Sequence, residues 1–127
     1  MRDFRQIRVW EKAHQLTLEI YKVTAQFPKE ELYGLTSQLR RASASIAANI
    51  AEGFGRGGNV ELARFLQIAI GSAYEVEYHI LLAKDLGLIS KEPNELLEVH
   101  IIEIKRMLAA LLLKVRADSK VRNRLGT

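Results

Sequence analysis

A chain of 127 residues, 48% hydrophobic and 27% charged, is long enough for one buried core and short for two, which argues against disorder and for a single domain over residues 1–127. Lys and Arg outnumber Asp and Glu by 19 to 15, and the absence of cysteine excludes disulfides, thiolate metal sites and cysteine nucleophiles. No apolar run reaches the roughly 20 residues of a membrane span, and no apolar signal region follows Arg2, Asp3, Arg5 and Arg8, so a cytoplasmic location is the expectation.

The first helix is predicted over 9–26, where Val9, Ala13, Leu16, Ile20 and Val23 recur in steps of four and three. Phe27-Pro28 ends it, because proline disfavours the α conformation in the residue before it. Trp10, Leu18 and Tyr21 fall beside that stripe and serve either a wide core face or a subunit contact.

The second helix is predicted over 35–52, with Leu35, Leu39, Ala42, Ile46 and Ile50 on one stripe. Ala44, Ser45, Ala47, Ala48 and Ala51 lie around it, and side chains this small allow close helix packing, so this is expected to be the central helix, covered on several faces. Gly53 suits a left-handed C-cap, and Asn59, with Glu61 behind it, suits the N-cap of the next helix. Asn49 sits at the stripe's edge and needs polar partners. Glu52, Gln38 or a backbone group could supply them, and a register-setting role is favoured over ligand binding.

A third helix is predicted over 60–86, with Leu62, Phe65, Ala69, Ser72, Val76, His79, Ala83 and Leu86 in heptad steps before Gly87 stops it. The fourth, over 94–117, follows Pro93 and carries Leu97, Ile101, Ile104, Leu108, Leu111 and Val115. Its pattern fades into a basic stretch, 118–127, expected to fray. Four amphipathic helices with short connections and no period-two segment predict an all-α, up-down-up-down antiparallel four-helix bundle.

Gln38-Leu-Arg-Arg-Ala-Ser, Ser45-Ile-Ala-Ala-Asn-Ile-Ala-Glu-Gly and Gly71-Ser-Ala-Tyr-Glu, with Val9-Trp10, Tyr33-Gly34-Leu35 and Leu86-Gly87, form a long composite motif. It resembles the four-helix-bundle proteins encoded in intervening sequences of bacterial 23S rRNA genes. The resemblance implies a cyclic homo-oligomer, a ring of five, with a link to nucleic acid and no enzymatic residues. Distant members resemble the accessory protein that partners reverse transcriptase in diversity-generating retroelements.

Charge is segregated along the chain. Residues 105–127 hold seven cations against one anion, and residues 75–103 hold seven anions against two cations. In the predicted topology the start of the first helix, the connection after the second and the end of the fourth share one basic end, while Asp85, Glu92, Glu95 and Glu98 lie toward the other. Helix dipoles alone would favour such a distribution. The nucleic-acid reading assigns Arg5, Arg8, Lys114, Arg116, Lys120, Arg122 and Arg124 to phosphates, interactions that give affinity without sequence selectivity.

Other patterns point to no chemistry. Glu11-x-x-His14 and His100-x-x-Glu103 fall toward opposite ends, short of the convergent carboxylates of a di-metal bundle, so no metal or cofactor is expected. The Gly53–Gly58 stretch lacks the Lys-Ser/Thr of a phosphate loop, and Ser43, Ser45 and Ser72 have no paired histidine. Trp10, Phe54 and Tyr74 could stack on bases if exposed, but burial in the core or an interface is expected. The sequence thus favours a non-enzymatic oligomer that binds RNA or DNA through a basic rim. The alternative is a protein-binding scaffold or accessory subunit.

Overall fold

The computed structural model describes residues 3–124, with side chains placed up to Lys120. Four helices account for most of it: α1 (Arg8–Thr24), α2 (Ser37–Gly55), α3 (Asn59–Asp85) and α4 (Lys91–Arg124). There is no strand among the described residues. Each helix packs on its neighbours in sequence and α4 closes back on α1, giving the antiparallel four-helix arrangement; α2–α3 is the tightest seam and α1–α4 the loosest.

The core follows the apolar stripes. Ala13, Leu16 and Ile20 of α1, Leu39, Ile46 and Ile50 of α2, Leu66, Ala69 and Ile80 of α3, and Ile101 and Leu108 of α4 are fully shielded. All five predicted stripe positions of α2 are buried, but the opposite face is not covered within one subunit, where Ala48 stays exposed. On α3 the predicted positions Leu62, Phe65, Ala69, Val76, His79 and Ala83 are buried together with Leu66, Ala73 and Ile80, whereas Leu86, which caps the helix beyond its last residue, is 56% exposed. Trp10 is half-buried, edge-on to Phe4 and stacked on His14, whereas Leu18 and Tyr21 remain exposed. Phe54 is buried and Tyr74 is exposed on the outer side of α3.

The helix ends correct several expectations. Gly53 is not a left-handed cap: α2 continues to Gly55, and the positive φ of 84° falls at Gly57. Gly53 is instead a close-approach residue, for a Cβ there would lie 3.0 Å from Leu62 Cδ1 and from Phe65 Cβ. Asn59 is the first residue of α3 rather than its cap, a place taken by the extended Gly58. Gly87, at φ 75°, does stop α3. The stretch after 117 is helical to Arg124, because Arg, Ala and Lys sustain a helix and no Gly or Pro intervenes before Gly126.

Between α1 and α2 the chain makes a 3₁₀ turn, Lys29–Glu31, and a wide π-type turn, Leu32–Thr36, in which Gly34 departs from helical geometry. The Glu31 carboxylate accepts the Leu35 N–H at 3.0 Å across this kink. Arg40 of α2 then ties off the end of α1. Its Nε donates to Thr24 Oγ1 at 2.8 Å and its Nη2 to the Tyr21 carbonyl at 3.3 Å, an oxygen that also accepts the Ala25 N–H, so α2 is pinned to the last turn of α1.

Candidate nucleic-acid interface

The basic end is assembled from chain segments far apart in sequence. Asp3 caps the turn Phe4–Gln6 by accepting the Arg5 N–H at 3.0 Å, and the buried Ile7 then fixes where α1 begins. Arg8, the first residue of α1, is held exposed at that end. On α4, Leu112 and Val115 turn into the core, which leaves Lys114 exposed, three residues after the half-buried Leu111 and on the same side.

Arg8 and Lys114 line one cleft of about 350 Å³, with Gln6, Val9, Met107 and Leu111. Leu111 and Lys114 also wall a second cleft of about 230 Å³, against Phe54, Leu62 and the α2–α3 connection. Arg8 in turn reaches a third, of about 360 Å³, on the α1–α4 seam with Lys12, Gln15, His100 and Glu103. Among the described residues no carboxylate lies within ion-pairing distance of Arg8 or Lys114.

The remaining candidates are placed differently. Arg5 spends its charge locally, on Asp3 at 3.3 Å and over the Phe4 ring. Arg116 donates to Gln67 Oε1 at 3.2 Å in a shallow groove between α3 and α4 that also holds Arg64 and Val60. Lys120 is exposed one turn further along α4. The side chains of Arg122 and Arg124 lie outside the described residues.

Sequence reasoning passed over Arg56 and Arg64, because residues 52–64 sum to zero charge. The structure gives the reason: Arg56 pairs with Glu52 at 2.7 Å and Arg64 with Glu61 at 3.0 Å, and both guanidinium groups sit over Phe65. The hydrogen bond from Arg64 holds the Glu61 carboxyl below its ordinary pKa. Spacings of three and four residues were the available signal.

The motif residues of α2 and α3 converge on hydrogen bonds. Ser45 and Ser72 hydroxyls meet at 2.9 Å across the tightest seam, and the Asn49 amide donates to Ser45 O at 2.8 Å and Ser45 Oγ at 3.0 Å. Neither Glu52 nor Gln38 is needed as its partner. His79 is buried and its Nε2 lies 3.2 Å from Glu75, while its Nδ1 has no hydrogen-bond partner. Among the described residues no three His, Asp or Glu side chains gather in a metal-holding set. No helix among them is long and apolar enough to cross a membrane.

The sequence pattern of the family described as 23S rRNA-intervening sequence protein matches residues 5–110. The chain belongs to that family. Among solved structures it is similar to a protein of unknown function from the S23 ribosomal protein family of Bacteroides thetaiotaomicron, with 25% identity and a TM-score of 0.74, covering 82% of this chain and 97% of that one. Among curated proteins none matches. The matched span includes Arg5, Arg8 and the Ser45, Asn49 and Ser72 network, but it ends before Lys114, so the cationic end of α4 lies beyond it.

The α1–α4 seam carries a pH-dependent ion pair. Lys12 Nζ sits 2.8 Å from Glu103 Oε1, and that hydrogen bond, with the charges of Lys12, Arg8 and His100 nearby, holds the Glu103 carboxyl below its ordinary value. A carboxyl lowered by folding adds stability above its unfolded pKa of about 4.3 and loses it as pH falls through the folded value. Lys12→Met, which keeps the apolar stem, should therefore be less stable than the parent in urea at pH 7, with the gap closing toward pH ~3. A gap of the same size at both pH values would rule out the ion pair as its source.

Proposed function

We propose that this family member is a non-enzymatic, self-associating four-helix bundle that binds RNA or DNA through its basic end with little sequence preference. The observation that carries this reading is the meeting of Arg8 and Lys114, 106 positions apart, on one cleft whose lining holds no carboxylate. A dipole-complementing role explains a cation in the last turns of a helix, but Arg8 stands at the start of α1, where the dipole disfavours it. Self-association is supported by outward-facing Tyr74, Tyr78 and Leu81 of α3, each about half exposed in a single subunit, and by the resemblance to ring-forming relatives.

Anisotropy titration of a fluorescent RNA at several salt concentrations tests the reading. Affinity should fall log-linearly with salt, and replacing Arg8, Lys114 and Arg116 by Ala should flatten the slope by about 2 to 3, at about 0.7 to 0.9 for each phosphate no longer neutralised. Light scattering should give the mass of several subunits for the parent and the variant alike. Absence of binding at low salt, or binding indifferent to salt and to the three substitutions, would transfer the assignment to a protein scaffold. That second reading draws on Tyr33, 93% exposed beside the half-exposed Leu32 at the end remote from Lys114.

A further inference from the structure

The outer face of α3 is built around a glycine that the single subunit does not need. Gly71 stands near the middle of the 27-residue helix, it is exposed, and a Cβ there would meet nothing within 4 Å. Glycine in a helix interior weakens it relative to alanine, and nothing packed against Gly71 calls for it. On either side of it the face continues in steps of three and four, with Ile68, Arg64 and Val60 toward the start of α3 and Tyr74, Tyr78 and Leu81 toward its end. The aliphatic and aromatic members of this set are between 41% and 74% exposed. The two halves differ in relief. Val60, Arg64, Gln67 and Ile68, with Arg116 of α4, line a shallow groove of about 450 Å³ on the first half, whereas Tyr74 and Tyr78 stand out from the second.

We infer that a second copy of this chain packs its α3 antiparallel against this one, crossing at Gly71, so that Tyr78 of each copy enters the groove of the other. Ile68 and Tyr74 lie three residues from Gly71, Arg64 and Tyr78 seven, and Val60 and Leu81 eleven and ten. A two-fold axis at Gly71 therefore lays each half of the face on the other, as a contact between identical surfaces requires. Two glycines at the crossing let the helix backbones approach closely. Arg64 and Arg116 on the rim of the groove suit the ring face of an inserted tyrosine. The antiparallel direction also sets the basic end of one copy beside the acidic end of the other, whereas a parallel pair would bring like ends together. The inference rests on the self-association proposed above and names its surface and direction.

Because the chain has no cysteine, single-cysteine variants report the contact directly. In the antiparallel pair Ile68 of one copy faces Tyr74 of the other, while the two copies of Ile68 stand about six residues apart along the helices, about 9 Å and beyond the roughly 7 Å that a disulfide spans between Cα atoms. A mixture of the Ile68→Cys and Tyr74→Cys proteins should therefore cross-link on mild oxidation to dimers holding one of each, and either variant alone should not. Gly71→Leu, which has free space in the single subunit, should keep its helicity and weaken association at least about tenfold in sedimentation equilibrium, since the new side chain overpacks the crossing. Cross-linking of either cysteine variant with itself would overturn the antiparallel contact, and so would Gly71→Leu associating as tightly as the parent. A parent with the mass of several subunits and no cross-link in the mixture would overturn this surface and leave self-association to another face. A monomeric parent would end both readings.

Discussion

Gly53→Val should destabilise the bundle by about 2 to 3 kcal/mol in urea unfolding, while Gly55→Ala, two residues on, should stabilise it by about 0.5 to 1. Both glycines are helical, so propensity alone predicts a gain from either replacement. What separates them is the neighbouring helix. A Cβ on Gly53 meets Leu62 Cδ1 and Phe65 Cβ at 3.0 Å, and the second of these is fixed close to the α3 backbone. The branched methyls of Val would force α2 and α3 apart along their tightest seam. A Cβ on Gly55 meets nothing within 4 Å. A Gly53→Val protein as stable as the parent would show that α2 and α3 leave room between them for a branched side chain.

Ile46→Ala should cost about 3 to 4 kcal/mol, against less than about 0.5 for Leu113→Ala. Ile46 is fully shielded at the middle of α2, and Ala42, Ser43 and Ala47 beside it on that helix have little side-chain length with which to refill the space. Leu113, on the outer side of α4, is 73% exposed, so truncating it removes little packing. Thermal unfolding followed by helicity would measure both. Similar losses for the two variants would mean that Leu113 is covered in the assembled protein, which identifies the outer face of α4 as a subunit interface.

The α2 stripe illustrates what periodicity can deliver. Leu35, Leu39, Ala42, Ile46 and Ile50 are buried as their spacing requires, because burial of a helix face depends on rotation about its axis and little else. Termini are harder to place. Gly53 has the right residue type for a cap, but α2 runs on through it, and only the α3 side chains opposite explain why nothing larger stands there. The helical course of 118–124 is likewise hidden, since a fading apolar pattern reports the end of core packing rather than the end of hydrogen bonding.

The candidate interface divides in the same way. Net charge by segment locates the basic end, because side-chain charge is a property of residue type and the topology follows from short connections. Composition cannot say which cations are free. Arg5 is bound to Asp3, and Arg56 and Arg64 are bound to glutamates one turn away, whereas Arg8 and Lys114 share a cleft with no carboxylate at ion-pairing distance.

Residue order was enough for the helix count, the buried stripes, the polarity of charge along the bundle and the family pattern, all of which depend on residues close together in the chain. It took the packed fold to reveal that Gly53 makes room for α3, that Arg40 closes the end of α1, that Ser45 meets Ser72, and that Arg8 and Lys114 share one cleft. Each of these joins atoms at least nine residues apart. Their distances are set by how helices pack, and no local propensity encodes that packing.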